Sequence, residues 1–146
     1  VLALLEKIRR MLKLREITFP IWRLMQMAFY ECTFIMRQDI APQDVHKAAD
    51  RFVEMVTNLG GEVLKREYWG LRTLAYIVRK NKKGHYIMLG LNASDAAIKE
   101  LERNFKINEE VIKYLTIRVE KIEEAPSYMM QAPADSADLS ANISSE

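Results

Sequence analysis

The stretch KREYWGLRTLAYIVRKNKKGHY, residues 65–86, mixes two kinds of residue that usually keep apart. Its first two-thirds carry rings and branched side chains that favour a strand, and the pattern runs back to Glu62, so residues 62–78 read as one extended segment. At about 3.3 Å per residue such a segment would reach roughly 55 Å, longer than a small domain needs. Gly70 in its middle therefore marks a bend or bulge. NKKG (81–84) reads as the turn and HYIMLGLN (85–92) as the returning strand. The result is a long hairpin with ring-bearing arms and a cationic end, where Arg79, Lys80, Lys82 and Lys83 crowd together.

The flanking elements follow the same physics. FYECTFIMR (29–37) is β-prone, with Tyr30, Cys32, Phe34 and Met36 on one face and Glu31, Thr33, Ile35 and Arg37 on the other. Pro42 opens a helix in which Val45, Ala49, Phe52, Val56 and Leu59 recur at spacings of three and four. Gly60 and Gly61 end it as a left-handed cap and a turn. Ser94 is placed to cap a second helix lined by Ile98, Leu101 and Phe105. Residues 111–120 alternate as a last strand, with Leu115, Ile117 and Val119 sharing a face. The order βαββαβ predicts an α+β fold, an antiparallel sheet with both helices on one face. The opposite face is left without a cover of its own.

A chain of 146 residues, 49% apolar and 29% charged, has room for one globular domain with a real core. Its single cysteine, Cys32, cannot form an intrachain disulfide, and no run of 18 uncharged apolar residues predicts a membrane span. Net charge is only +2, but residues 65–83 hold seven basic residues against Glu67 alone, which leaves the remainder net acidic. A local basic field on a near-neutral chain suits docking on phosphate at a defined place.

Both ends differ from the middle. Residues 1–26 carry an amphipathic repeat at Leu4, Leu5, Ile8, Met11 and Leu12, interleaved with Lys7, Arg9, Arg10 and Lys13. A membrane-surface or targeting helix and an extra RNA-binding arm are two readings of it. The favoured one is a leader outside the folded domain, because a clean strand pattern begins at Met27. Residues 27–122 form the domain. Residues 123–146 are rich in Ala, Ser and Asp and are expected to be a disordered tail that orders where it meets a partner.

Catalytic chemistry is poorly supplied. His46 falls mid-helix facing solvent, and His85 follows the turn as a polar turn residue or RNA contact. Neither lies near Cys32 in a nucleophile signature, and no metal-ligand spacing or glycine-rich phosphate loop is present, so no cofactor or metal is expected. The adjacent pairs Glu109–Glu110 and Glu123–Glu124 point to opposite sides of an extended backbone, so they make no acid/base pair. An acylphosphatase-like site would need a glycine-bearing anion loop after the first strand. RQDIAPQ (37–43) lacks the glycine, although Arg37 is there.

Nucleic-acid binding is better supported. Arg72, Arg79, Lys80, Lys82 and Lys83 are the candidate phosphate contacts, with Arg66 and Arg118 as further candidates. The hairpin also carries Tyr68, Trp69, Tyr76 and Tyr86. Tested against the RNA recognition motif, KKGHYIML (82–89) fails, because Tyr86 stands where a small residue is needed and Gly90 where a ring is needed. Contact with folded RNA through its backbone is then favoured over base reading. Tyr76 and Tyr86 are assigned to packing. Tyr68, Trp69 and Leu71 are assigned to a protein partner, since one of the two rings beside the bend must face away from the helices.

MAFYECTFIMRQDI (27–40) and GGEVLKREYWGLRTLAYIVRKNKKGHYIML (60–89) together resemble the bacterial small-subunit ribosomal protein S-six family. Tyr30 and Glu31 match its opening strand. Trp69, Gly70, Arg72, Leu74, Ala75 and Tyr76 match its core motif, and Lys83, Gly84 and Tyr86 its basic turn. The likeness covers residues 27–122. It implies a ferredoxin-like fold and a non-catalytic role in the cytoplasmic ribosome. It also implies a heterodimer with ribosomal protein S-eighteen, bound to the central domain of small-subunit rRNA in the platform. The alternative is a protein-interaction module on the same fold that binds no RNA.

Overall fold

The computed structural model describes residues 27–131, so the expectations for residues 1–26 and 132–146 lie outside the described residues. Strand β1 (Met27–Arg37) is followed by helix α1 (Pro42–Asn58), strands β2 (Glu62–Val78) and β3 (Asn81–Ser94), helix α2 (Asp95–Ile107) and strand β4 (Val111–Val119). The strands form one sheet in the order β2-β3-β1-β4, and each neighbouring pair is antiparallel. This is the ferredoxin-like α+β fold that the βαββαβ order predicts.

Local chemistry sets the helix ends. Pro42 occupies the first turn of α1, where its missing N–H costs nothing. Gly60 follows with φ +83°, the left-handed conformation that a glycine adopts without strain. Ser94 caps α2, its Oγ accepting the Ala97 N–H at 3.2 Å, while Asp95 and Lys106 complement the helix dipole at either end. The core lies between these helices and one sheet face. At its centre Phe34 of β1 meets Phe52 of α1 and Phe105 of α2, with ring centroids 5.3 and 4.9 Å away. Tyr30, Cys32 and Met36 join Phe34 on the buried face of β1, as its alternation predicts.

The hairpin turn differs from expectation. Arg79 and Lys80 make it, whereas the NKKG segment already belongs to β3. Asn81 is buried at the strand start and bonds back to the turn, which moves the reversal ahead of the sequence signal. Gly84 therefore sits inside a strand, where it permits close approach to β1. An added Cβ would lie 2.3 Å from Ile35 Cγ2 and 3.1 Å from the Met36 oxygen. Gly70 does mark a bulge, with φ +86° and a register shift between Tyr68 and Gly70.

The open sheet face is partly covered, contrary to expectation. Beyond β4 the chain crosses the sheet, with Ile122 resting on Gly90 of β3, and then follows β2. Lys65 Nζ donates to the Ala125 oxygen at 2.6 Å. Ser127 donates its N–H to Glu67 Oε1 at 2.9 Å and its hydroxyl to Oε2. Arg72 Nη2 donates to the Met129 oxygen at 2.7 Å, where the short helix α3 (Tyr128–Gln131) begins its single turn. Residues 123–131 thus lie on β2, because the three charged β2 side chains bind mainly their backbone. Of the tail expected over residues 123–146, the part up to Gln131 is held on β2, and the rest lies outside the described residues.

Glu67 is the centre of this strap. It is only 6% exposed and accepts from Ser127, from Trp69 Nε1 at 2.8 Å, and from Lys65 at 3.2 Å. Burial alone would raise its pKa. The hydrogen bonds from Ser127, Trp69 and Lys65 outweigh burial and hold the carboxyl down at about 2.

This packing has two measurable consequences. A depressed carboxylate contributes stability that is complete above its ordinary value of 4.5 and is lost as pH falls through about 2. At about 1.4 kcal/mol per unit, the wild-type chain should lose roughly 3 kcal/mol across that window that Glu67→Gln does not lose. Urea midpoints at a series of pH values check this, and parallel pH profiles for the two chains would contradict it. Gly84→Ala should cost about 1–3 kcal/mol in urea unfolding through crowding of Ile35.

Candidate nucleic-acid interface

Beyond the pair Thr73–Lys83, β2 bows out over residues 74–77 before pairing resumes at Val78–Asn81. The bow exposes Tyr76 and Ile77 at 61% and 62%, so Tyr76 is not the packing residue the sequence predicts. The turn follows, with Arg79 at φ +45° and Lys80 at φ +65°. A two-residue hairpin with both central residues left-handed is normally Asn-Gly, and Arg and Lys occupy it under strain.

Asn81 holds that strain. Its Nδ2 donates to the Arg79 oxygen at 2.9 Å, and its Oδ1 accepts the Gln38 N–H at 3.3 Å. Gln38 answers by accepting the Lys83 N–H at 3.1 Å, and Arg79 Nη1 reaches the Val111 oxygen at 3.2 Å. The turn is thus fastened to the end of β1 and to the start of β4. Lys80 and Lys82 stand exposed upon it.

Lys113 of β4 joins this group from the open sheet face, its Nζ 2.5 Å from the Tyr76 hydroxyl and 4.9 Å from the ring centroid. Sequence reasoning missed Lys113. Its alternation in step with Leu115 and Ile117 on the last strand was the available signal. Arg79, Lys80, Lys82, Lys83 and Lys113 therefore gather at one end of the sheet.

The other predicted cations lie elsewhere. Arg66 turns to the helix side, pairing with Asp50 and donating to the His46 oxygen at 3.1 Å. Arg72 holds the strap and the Trp69 oxygen, the latter at 2.9 Å. Arg118 is exposed opposite Tyr30, at the far end of β4 from Lys113. Arg37 is bound to Asp39 through Nε at 3.0 Å and Nη2 at 2.7 Å, and this pairing holds the Asp39 carboxyl below its ordinary value.

The rings divide as the bulge requires. Trp69 faces away from the helices, stacked on Tyr86 with centroids 6.4 Å apart. Tyr68 and Leu71 lie half-buried on the helix side. Tyr68 Oη is 2.7 Å from His85 Nδ1, and the exposed His46 ring meets the Tyr68 ring edge-on at 4.9 Å. His85 is 3% exposed, so it is a core residue and not a turn residue or RNA contact. Burial lowers its pKa and keeps the ring neutral. The Gln38 and Ile40 carbonyls oppose this but form no hydrogen bond of good geometry to Nε2.

Part of the exposed apolar surface lies on the same open face. Leu115 and Ile117 of β4 are 59% and 49% exposed, while Tyr114 and Thr116 turn to the helices. The sequence pattern grouped Leu115 with Ile117 correctly but did not say that their face is the open one.

Nothing in the site suits catalysis. Burial pushes the Cys32 thiol up to about 12, so it is inert at neutral pH. Among the described residues, no group of three or more His, Cys, Asp or Glu could hold a metal ion, and no helix is long and apolar enough to cross a membrane.

Comparison with known proteins bears on the family and the fold. A family model described as Ribosomal protein S6 matches residues 29–118. Small ribosomal subunit protein bS6 of Paramagnetospirillum magneticum is 53% identical over 106 residues, 73% of this chain and 74% of that protein. The bS6 protein of Granulibacter bethesdensis is 47% identical over 109 residues, 75% of this chain and 71% of its own. The crystal structure of 30S ribosomal protein S6 from Thermotoga maritima superposes with a TM-score of 0.61 at 23% identity. It covers 64% of this chain and 88% of that one, and supports the fold. The chain belongs to the bacterial ribosomal protein S6 family, structural and non-enzymatic proteins of the small ribosomal subunit.

Proposed function

We propose that this chain binds the central domain of small-subunit rRNA together with ribosomal protein S-eighteen, in the platform of the cytoplasmic ribosome. The observation that carries this reading is the strained turn at Arg79 and Lys80, fastened by Asn81, Gln38 and Val111. Strain of this kind persists only where surrounding structure over-determines it. Its effect is to present cations on a rigid element, so little ordering entropy is spent when they meet phosphate.

Arg79, Lys80, Lys82 and Lys83 are assigned to phosphate, with Lys113 beside them. Arg66 and Arg72 are assigned structural roles on α1 and on the strap, in keeping with their partners. Arg118 stands apart from the cluster, and as a phosphate contact it would belong to a second patch. The protein partner is assigned to the open face, where Trp69, Tyr76, Leu115 and Ile117 supply rings and apolar surface. Tyr68 and Leu71 support that surface from behind.

The exposed Leu115 and Ile117 also favour a second reading, a protein-interaction module that binds no RNA. A gel shift with central-domain rRNA, with and without the partner protein, separates the two. Replacing Lys80, Lys82 and Lys83 together by Ala should weaken RNA binding and flatten its dependence on log salt by about one unit for each phosphate left without its cation. An unchanged salt slope would make the hairpin end mere solvated surface.

A further inference from the structure

We propose that neutral His85, with its proton on Nε2, is a positioning residue that holds the 38–40 loop over the hairpin end, and that protonating its ring opens the bracket on the cationic turn. The opening is independent of the RNA-binding reading above, and the effect on RNA affinity rests on that reading.

His85 lies opposite Met36 of β1 and Leu71 of β2 and is 3% exposed, a place that suits an apolar side chain. Among the described residues, its Nε2 is the one buried side-chain polar atom without a hydrogen bond. A buried polar atom in that state costs stability, so a phenyl ring would fill the same place at lower cost. What the imidazole adds is its pair of nitrogens. Tyr68 Oη stands 2.7 Å from Nδ1, and burial favours the protonated phenol. The hydroxyl therefore donates to Nδ1, and the ring's own proton falls to Nε2. Nε2 faces the Gln38 and Ile40 carbonyls. The other tautomer would set a lone pair against both oxygens, whereas an Nε2–H draws the loop onto the ring.

That loop has little else to hold it, since the Ile40 N–H reaches the Arg37 oxygen only at 3.5 Å. Yet it carries the turn. Gln38 donates its N–H to Asn81 Oδ1 at 3.3 Å and accepts the Lys83 N–H at 3.1 Å, while Asn81 Nδ2 holds the Arg79 oxygen at 2.9 Å.

A second proton on the ring strips Nδ1 of its acceptor role and buries a full charge. The charged and titratable groups nearby are engaged elsewhere. Arg37 pairs with Asp39 and Arg66 with Asp50, and the exposed His46 ring meets Tyr68. Burial outweighs the two carbonyls and lowers the His85 pKa below its ordinary 6.5. The stability this contributes is complete above 6.5 and is lost as pH falls toward the folded value. An open bracket lets the ring into water, so opening becomes easier below 6.5, by up to about tenfold per pH unit.

Three measurements on the full chain decide this. Nitrogen NMR at about pH 7.5 should find the His85 proton on Nε2, and a proton on Nδ1 overturns the proposal. Hydrogen exchange reads the bracket through the Lys83 amide. Its protection should lie below that of the core Leu89 amide and fall about five-fold from about pH 7 to about pH 5.5. His85→Gln, which keeps one acceptor and one donor, should abolish the fall. Lys83 and Leu89 exchanging together, or a fall that persists in the Gln variant, overturns the opening. His85→Phe should bind central-domain rRNA about five-fold more weakly than wild type at about pH 7.5, and His85→Gln within about two-fold of it. Equal binding by wild type and the Phe variant overturns the positioning role. Absence of RNA binding by wild type and variants alike would sink the function above, while hydrogen exchange still decides the bracket.

Discussion

The bulge at Trp69 and Gly70 decides which side of the sheet Leu71, Arg72 and Thr73 of β2 take. Trp69 and Gly70 fall on the same side of the sheet, with Gly70 opposite Tyr86, and the positive φ of Gly70 absorbs the extra residue. Without it the alternation from Glu67 onward would leave Trp69 on the open face but carry Leu71 away from the helices and Arg72 toward them. With it, Lys65, Glu67, Trp69 and Arg72 share the open face while Arg66, Tyr68 and Leu71 share the helix side. One local backbone choice thus separates a polar, strap-binding surface from the surface that closes the core.

Much of this was legible. Strands and helices follow from periodicity, and the three core phenylalanines fall on the faces their spacing assigns. The Gly70 bulge and the Gly60 cap follow from glycine chemistry. What was not legible depends on contacts remote in sequence. NKKG looks like a turn by composition, yet Asn81 is worth more as a buried bracket between Gln38 and the Arg79 carbonyl. The strap's few apolar residues show no strand or helix period, and what holds it is recognition of its backbone by Lys65, Glu67 and Arg72, which leaves no trace in composition. His85 reads as a polar turn residue only while the turn is misplaced. Once the reversal moves to Arg79 and Lys80, alternation carries His85 inside.

The candidate site was legible in its cations and poorly legible in its roles. Seven basic residues near one another suggested one basic surface, but strand alternation and the bulge deal them to three places. Arg66 finds Asp50, Arg72 finds the strap, and only the residues at or beyond the turn remain together. Arginine at the first two places suits the geometry, since its planar fork can hold several acceptors at once, as Arg66 does with a carboxylate and a carbonyl. Lysine at the end of the hairpin suits a different task, a mobile point charge meeting phosphates along a backbone.

The division of labour within β2 also explains why a buried ion pair is tolerated there. Lys65 and Glu67 are 13% and 6% exposed, and removing two charges from water costs more than their attraction alone returns. The balance is restored by the additional partners, Trp69 Nε1, two donors from Ser127 and the Ala125 carbonyl, so every charge has several hydrogen bonds. An apolar cover would bury the same face without such demands, but it would accept any greasy segment in any register. A carboxylate that must receive Ser127 and an ammonium that must find the Ala125 carbonyl fix one register. That register sets the strap's direction along β2.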